Sequence, residues 1–469
     1  MTARKRTAEP PTGGALPGSS RPPSWSEAQA EAHLRSLELF GMRFGLDRMR
    51  RLMTVLGSPQ RRYDSIHVVG TNGKTSTTRM IAAILERQGM RTSAYTSPHL
   101  ISYRERLQIG ERDLAAERFA AAVARAAWAA ERVNRTLAGD DHVTQFELLT
   151  AAALWEIGER DVQVAVIEAG LGGRFDATAV IDARVTALTN VALEHTRWLG
   201  PTLRDIAEEK LAMLPARTTL VLGARMAPQA LAVAERLASE RGARILAVPE
   251  ETPTTPSGRR APPLSARGAF QQRNFALARL AAERYVHDAG GVRWGIDGSN
   301  VGLRERAVRE AALASEVRGR LQLVADDPLT VLDGAHNPAA VRALVQSLGE
   351  IVGGRPLAIV LGVLEDKDAV GMLAPLLEVC ERAWFTAPRS DRALSPATLQ
   401  SLARQLGFER VACQPRADRA LSDAQRWARE RGGAVLVTGS VYLVGELLAL
   451  LDDPDVALQT RAGRRRAAR

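Results

Sequence analysis

Gly70-Thr71-Asn72-Gly73-Lys74-Thr75-Ser76 follows the apolar run Ile66-His67-Val68-Val69. It precedes a helical pattern over residues 77–88 and a further strand pattern over 92–96. Strand, glycine-rich turn, helix, strand is the unit of an α/β fold with a parallel sheet. The glycines let backbone N–H groups turn inward around phosphate oxygens. The following helix offers its positive N-terminus, and a lysine at the turn neutralises phosphate charge. The stretch resembles a P-loop of altered spacing, because a first glycine five residues before Gly73 falls on Val68. It predicts that Asn72, Gly73, Lys74, Thr75 and Ser76 bind ATP.

Outward from this turn, residues 162–168 and 185–189 read as further buried strands, and a helical segment covers about 25–56. Residues 249–268 are rich in breakers and read as a long loop. A second α/β series begins near Arg320, with strands expected at 321–325, 329–332, 358–361, 383–386 and 435–438. Helical patterns such as 339–348 and 417–429 separate them. The expected organisation is a disordered basic tail (1–25), an N-terminal P-loop domain (26–314), a C-terminal Rossmann-like α/β domain (315–455) and a second basic tail (456–469).

The bulk composition is compatible with this. A chain of 469 residues, 45% hydrophobic, can build two cores. No run of 18 apolar residues predicts a membrane span, and the first twenty residues lack the apolar region of a secretory signal. Two scattered cysteines, Cys380 and Cys413, point to a reducing cytoplasm and exclude a cysteine-based metal framework. The net charge of +10 is concentrated at the ends. Arg4, Lys5, Arg6 and Arg21 against Glu9, together with five arginines in 461–469, leave about +2 for the body. A nucleic-acid partner is therefore not expected.

Arginine dominates the 63 basic residues; the lysines are Lys5, Lys74, Lys210 and Lys367. Lysine offers a compact ammonium and an amine that can lose its proton, which arginine cannot. Lys5 sits in a tail, so the other three are candidates for chemistry.

Further motifs make a family resemblance specific. The G-T-N-G-K-T turn is similar to that of Mur ligases. Thr96-Ser97-Pro98-His99-Leu100 with Arg104 and Arg106 resembles the S-P-H-L…R-E-R segment of folylpolyglutamate synthases, and Phe146-Glu147 with Thr150 their F-E-x-x-T. Glu168-Ala169-Gly170-Leu171-Gly172-Gly173-Arg174-Phe175-Asp176-Ala177-Thr178 is close to E-x-G-L-G-G-R-x-D-A-T. Leu193-Glu194-His195 with Leu199-Gly200 resembles L-D-H…L-G, and Glu209-Lys210 the E-K of the family's lysine motif. Asp333-Gly334-Ala335-His336-Asn337-Pro338 and Asp366-Lys367-Asp368 resemble D-x-A-H-N-P and D-K-D. These segments keep family order from about Leu37 to Glu446.

The resemblance implies an ATP-dependent amide ligase that phosphorylates a carboxylate on folate or dihydropteroate and joins the acyl phosphate to L-glutamate. It implies Mg²⁺ at Ser97, Glu168 and His195, with Thr75 or Ser76 near the β and γ phosphates. His195 and Lys74 would be catalytic, and Lys210 would be carbamylated, a carbamate being an anion able to hold a second Mg²⁺. Asn274, Arg320, Asp333 and His336 would join the ATP site. Thr144, Gln145, Phe146, Glu147, Phe175, Asp176 and Ala177 would hold the pteridine. Lys367 and Ser440 would lie where the second domain faces the cleft. A monomer with no membrane partner is expected. Four departures stand out: Thr75 where folate-type members have glycine, Glu194 for aspartate, Phe270 for the histidine of H-Q-x-x-N, and Leu211-Ala212 where the family continues A-G after E-K. The alternative is a cell-wall or cyanophycin-type ligase. Those place a further module ahead of the P-loop, whereas 69 residues precede Gly70 here.

Overall fold

In a computed structural model of the chain, residues 21–37, 45–250, 262–289 and 302–452 are described. Most of both expected basic tails and part of the 249–268 stretch lie outside them. Compactness divides the chain into a helical unit, Met1–Arg62 with Leu114–Asp161, and an α/β unit, Tyr63–Asp113 with Val162–Arg469. Residues 114–161 thus interrupt the first sheet as an insertion.

The α/β unit holds two sheets. The first has β1 (Asp64–Val69), β2 (Thr92–Tyr95), β3 (Leu107–Ile109), β4 (Arg112–Asp113), β5 (Val164–Glu168), β6 (Ala183–Leu188), β7 (Thr219–Leu222) and β8 (Arg244–Ala247). Their order is β4-β3-β2-β5-β1-β6-β7-β8. The β2–β3 and β3–β4 pairings are antiparallel; the others are parallel. The central strands are near-continuous apolar runs because both faces are covered, as parallel sheets require. On one face Ile66 and Val68 pack against Met80, Ile81, Ile84 and Leu85 of the helix Lys74–Arg87 and Leu277, Ala278 and Ala281 of the helix Ala269–Ala289. On the other, Val69, Leu188 and Leu220 meet Ile206, Ala207 and Leu211 of the helix Leu203–Leu211.

Strand register gathers the polar segments of this sheet. Val68 lies opposite Glu168 and Val69 opposite Leu188. The phosphate-type turn after β1, the carboxylate ending β5 and the segment after β6 therefore emerge at one sheet edge, the ligand-binding edge of open α/β sheets.

The second sheet has β9 (Gln322–Asp326), β10 (Leu329–Leu332), β11 (Leu357–Leu361), β12 (Arg382–Phe385), β13 (Val411–Cys413) and β14 (Ala434–Thr438), in the order β13-β12-β11-β14-β10-β9. Only β9 runs antiparallel to its neighbour. Its two faces carry separate cores, one around Leu344, Ile359 and Phe385, the other around Val360, Trp427 and Leu447. We call the two sheets with their helices the first and second lobes.

The helical unit is built differently. The expected helix over 25–56 stops at Ser36, where Leu37 turns extended, and helix Asp47–Val55 follows. Ala120, Ala124, Ala126 and Ala130 give helix Ala116–Asn134 a buried small-residue surface. Buried Arg48 pairs with Glu147 at 3.1 Å and with Asp141 at 3.1 Å. Among the described residues no helix is long and apolar enough to cross a membrane. Cys380 is buried and Cys413 exposed, both as free thiols.

Candidate active site

The turn after β1 is cradled by side-chain amides. Asn190, just past β6, accepts from the Asn72 N–H at 3.1 Å and donates to the Asn72 carbonyl at 2.9 Å. Gly73 has φ 82, and a Cβ there would fall 2.5 Å from Asn274 Oδ1. Glycine is therefore required both by backbone conformation and by the close approach of Asn274. The helix that starts at Lys74 has no capping side chain, so its first N–H groups remain available to an anion. Lys74 Nζ folds back onto the Thr71 carbonyl at 3.1 Å.

Glu168 ends β5 as a buried carboxylate. Thr75 Oγ1 donates to its two oxygens at 3.0 and 2.9 Å, and the Ser97 N–H donates at 3.1 Å. Burial raises its pKa, with Lys74 and the two hydrogen bonds pulling the other way. One helical turn beyond Thr75, Arg79 donates to the Glu105 carbonyl at 3.5 Å, while its buried Nε has no partner.

The glycine-rich segment after Glu168 explains its own composition. A Cβ on Gly173 would lie 2.2 Å from the Glu209 carbonyl oxygen and 2.6 Å from that of Lys210. The loop thus rests on the backbone that carries Lys210. Asp176 shapes the same loop by accepting from the Leu171 N–H at 2.8 Å and the Thr178 N–H at 2.9 Å. Its carboxylate is consumed locally, Ala177 is buried, and Phe175 stands exposed. Lys210 is buried and donates to the Gly70 carbonyl at 2.8 Å. Burial, then repulsion from Lys74, pushes its pKa down to about 7.

From the second lobe, Arg320 packs over Gly334, and its charge is felt at both Glu168 and Asp333. Asp333 is buried and accepts from the Leu321 N–H at 2.9 Å and the Ala335 N–H at 2.8 Å. Asn337 caps the helix Pro338–Val352 through the Ala340 N–H, and it forms a reciprocal amide pair with Asn72 at 2.8 and 3.3 Å. His336 Nε2 lies 3.2 Å from Glu194 and Lys367 Nζ 3.3 Å from the same carboxylate. Lys367 is also 3.5 Å from His195 Nε2. His195 sits at φ 50, and burial, with Lys367 second, lowers its pKa to about 4. Ser440 is buried and caps the helix Val441–Leu451 through the Tyr442 N–H.

The α/β unit thus gathers the residues of the turn, Glu168, Ser97, Lys210, Asn274 and, from the second lobe, Arg320, Asp333, His336 and Lys367. Thr144, Gln145, Phe146 and Glu147 belong to the helical unit. There Thr144 and Glu147 form a capping box, and Gln145 donates to the Leu34 carbonyl at 2.7 Å. Sequence reasoning did not single out Asn190, Asn337 or Arg79 as site residues, and it noted Glu194 only as a departure. Asn337 lies inside the D-x-A-H-N-P motif, but Asn190 and Arg79 carry no local signal. Among the described residues no three His, Cys, Asp or Glu side chains converge as a metal cluster. The donors beside Lys74 are one carboxylate and neighbouring hydroxyls. That hard-oxygen set fits Mg²⁺, which keeps several waters and shares phosphate oxygens.

Two family models match the chain, the Mur ligase middle domain over residues 68–227 and the Mur ligase glutamate ligase domain over 319–441. Folylpolyglutamate synthase of Lacticaseibacillus casei is 33% identical over 415 residues, 84% of this chain and 92% of that protein. The structure of Mycobacterium tuberculosis folylpolyglutamate synthase complexed with ADP superimposes with a TM-score of 0.81 at 31% identity, covering 91% of this chain and 98% of that one. A bifunctional folylpolyglutamate synthase/dihydrofolate synthase of Yersinia pestis, complexed with AMPPNP and Mn ion, gives a TM-score of 0.75 at 28% identity over 91% and 98% of the two chains.

Proposed function

The chain belongs to the Mur ligase family, in its folylpolyglutamate synthase/dihydrofolate synthase branch, and on that premise we propose that it joins L-glutamate to a folate or dihydropteroate carboxylate with hydrolysis of ATP to ADP. The observation that carries the reading is the edge formed by Gly73, Lys74, Glu168 and Lys210. It combines an anion-receiving helix start, a buried carboxylate with hydroxyl neighbours, and a buried amine.

In the first step a carboxylate oxygen attacks the γ-phosphorus and ADP leaves. Two anions meet, so fixed cations dominate the barrier. Lys74 and the open N–H groups at the helix start take the β and γ phosphates, and Arg320 adds charge from the second lobe. Mg²⁺, held by Glu168 with Thr75 and Ser97, neutralises phosphate charge when bound. His195, neutral at physiological pH, offers a ring nitrogen as a further ligand. In the second step the glutamate amine attacks the acyl carbon, phosphate leaves and the amine gives up a proton. Lys210 has a pKa near neutrality, so a fraction of its amine is free to take up CO₂, losing a proton and becoming a carbamate anion. Asn274, Asp333 and His336 border the nucleotide in this reading, and Lys367 and Ser440 serve the glutamate side. Among Thr144, Gln145, Phe146 and Glu147, the half-buried Phe146 has surface left to offer a pteridine. Residues 26–314 then carry the ATP and folate functions and 315–455 the glutamate function, in a reducing cytoplasm.

The test is direct. Purified protein is incubated with ATP, Mg²⁺ and glutamate, and with dihydropteroate or tetrahydrofolate in separate reactions. Mass spectrometry reads each glutamyl addition. Product from both substrates makes the enzyme bifunctional, and product from one assigns it. Absence of ATP-dependent product from either removes the proposal.

A further inference from the structure

Glu194 has no part in the chemistry above, yet it is where the two lobes of the α/β unit meet by charge. It lies in the segment between β6 and the short helix Thr196–Leu199, with its side chain 9% exposed. Its Oε1 is 3.2 Å from His336 Nε2 and 3.3 Å from Lys367 Nζ, both contributed by the second lobe. The neighbouring His195 Nε2 lies 3.9 Å away, and Lys367 bridges to that nitrogen at 3.5 Å.

The partners are arranged for this carboxylate. His336 Nδ1 faces the Gly334 carbonyl at 2.9 Å, so both ring nitrogens face oxygen atoms. Lys367 has a second carboxylate, Asp366, at 3.4 Å, but that group is 37% exposed and shared with Arg392 at 3.2 Å. A largely enclosed carboxylate whose nearest counter-charges come from the other lobe keeps both only when the lobes are together. Separating them takes away its two nearest counter-charges. The resemblance has an aspartate here; the extra methylene of Glu194 lengthens the reach.

We infer that Glu194 is a positioning residue for the ligase reaction: through His336 and Lys367 its carboxylate draws the second lobe onto the first and sets Lys367 against His195. This rests on the ligase reading above. Closure excludes water from an acyl phosphate, so loss of the contact releases phosphate without forming amide.

The experiment uses full-length protein carrying Glu194→Gln or Glu194→Asp. Spin labels are placed on the exposed native thiol of Cys413 in the second lobe and on Arg244→Cys in the first. In the glutamine variant the interlobe distance distribution broadens toward longer values. Amide-forming kcat falls about 10-fold, KM for ATP stays within about 3-fold, and ADP released per amide rises about 3-fold or more. Glu194→Asp keeps the charge and recovers part of the coupling, and it supplies the same readouts should the glutamine variant not fold. An unchanged distance distribution, or an ADP-to-amide ratio equal to that of the parent, overturns the inference. If the parent protein makes no glutamyl product, the ligase reading fails, and the distance measurement, which needs no substrate, still decides the role of Glu194.

Discussion

At the scale of single residues, Lys210 shows how burial changes chemistry. Its amine is enclosed, bonded to Gly70 and pushed down to about 7 by burial and by Lys74. If it acts as a carbamate, Lys210→Arg is inactive, since arginine takes up no CO₂ and places a fixed positive charge in the site. Lys210→Ala is also inactive but leaves space, and added acetate restores part of its turnover. Wild-type-like activity in the arginine variant, measured as ADP-coupled amide formation, would sink the carbamate. His67 gives a different residue-scale prediction. It is buried in β1 against Thr178 Oγ1 at 2.8 Å, and burial lowers its pKa to about 3. Above pH about 6.5 it is neutral folded and unfolded and contributes no pH dependence. Below that the unfolded chain binds a proton that the native state refuses until pH about 3, so stability falls by at most ~1.4 kcal/mol per pH unit. In urea melts between pH 6.5 and 4, His67→Gln should lose that part of the slope. The scarcity of lysine had already marked Lys74, Lys210 and Lys367, and all three lie near the same strand edge. No such signal marked Asn190, because an asparagine after a strand is ordinary until its partner is known.

At the scale of elements, apolar runs placed the central strands β1, β5 and β6 to within one or two residues. The two-residue β4 and three-residue β13 are edge strands, the three-residue β3 lies just inside β4, and all three carry too little apolar pattern to be legible. The loop after β5 is the element most constrained by a neighbour. Gly173→Ala pushes a methyl into the Glu209 and Lys210 carbonyls, and backbone cannot step aside cheaply. The expected cost is ~1–3 kcal/mol of stability, read as a lowered urea midpoint, together with lost turnover as Lys210 shifts. A Gly173→Ala enzyme with parental stability and kcat would mean that the loop does not rest on that helix. In the helical unit, Thr144→Ala removes the cap of helix Gln145–Gly158 and one partner of buried Glu147. Loss of the cap costs about 1–2 kcal/mol, again measured by urea unfolding.

At the scale of the whole molecule, the P-loop lobe and the second lobe share the site through Asn72–Asn337, through Glu194 with His336 and Lys367, and through the field of Arg320 at Glu168. Arg320→Ala should therefore raise KM for ATP about 10-fold or more and increase phosphate release not coupled to amide. Steady-state assays that follow ADP and glutamyl product together check both effects, and ATP kinetics equal to the parent would remove Arg320 from the site. The division of the chain is also a whole-molecule property. Leu114–Asp161 joins the N-terminal helices rather than the sheet it interrupts, and no composition shift in the sequence marks that exchange.

The sequence alone determined the α/β class and marked the phosphate-type turn and the groups proposed to react. Each of these is written in local terms: an apolar strand, glycines at fixed spacing, a lysine where arginine is the rule. The tertiary structure decided what those groups face. Register placed Glu168 beside the turn after β1, burial moved the Lys210 pKa toward neutrality, and the second lobe supplied His336 and Lys367 to Glu194. Hydrogen bonds and charges act over a few ångströms between residues far apart in the chain, such as Asn72 and Asn337, and only folding brings them within reach.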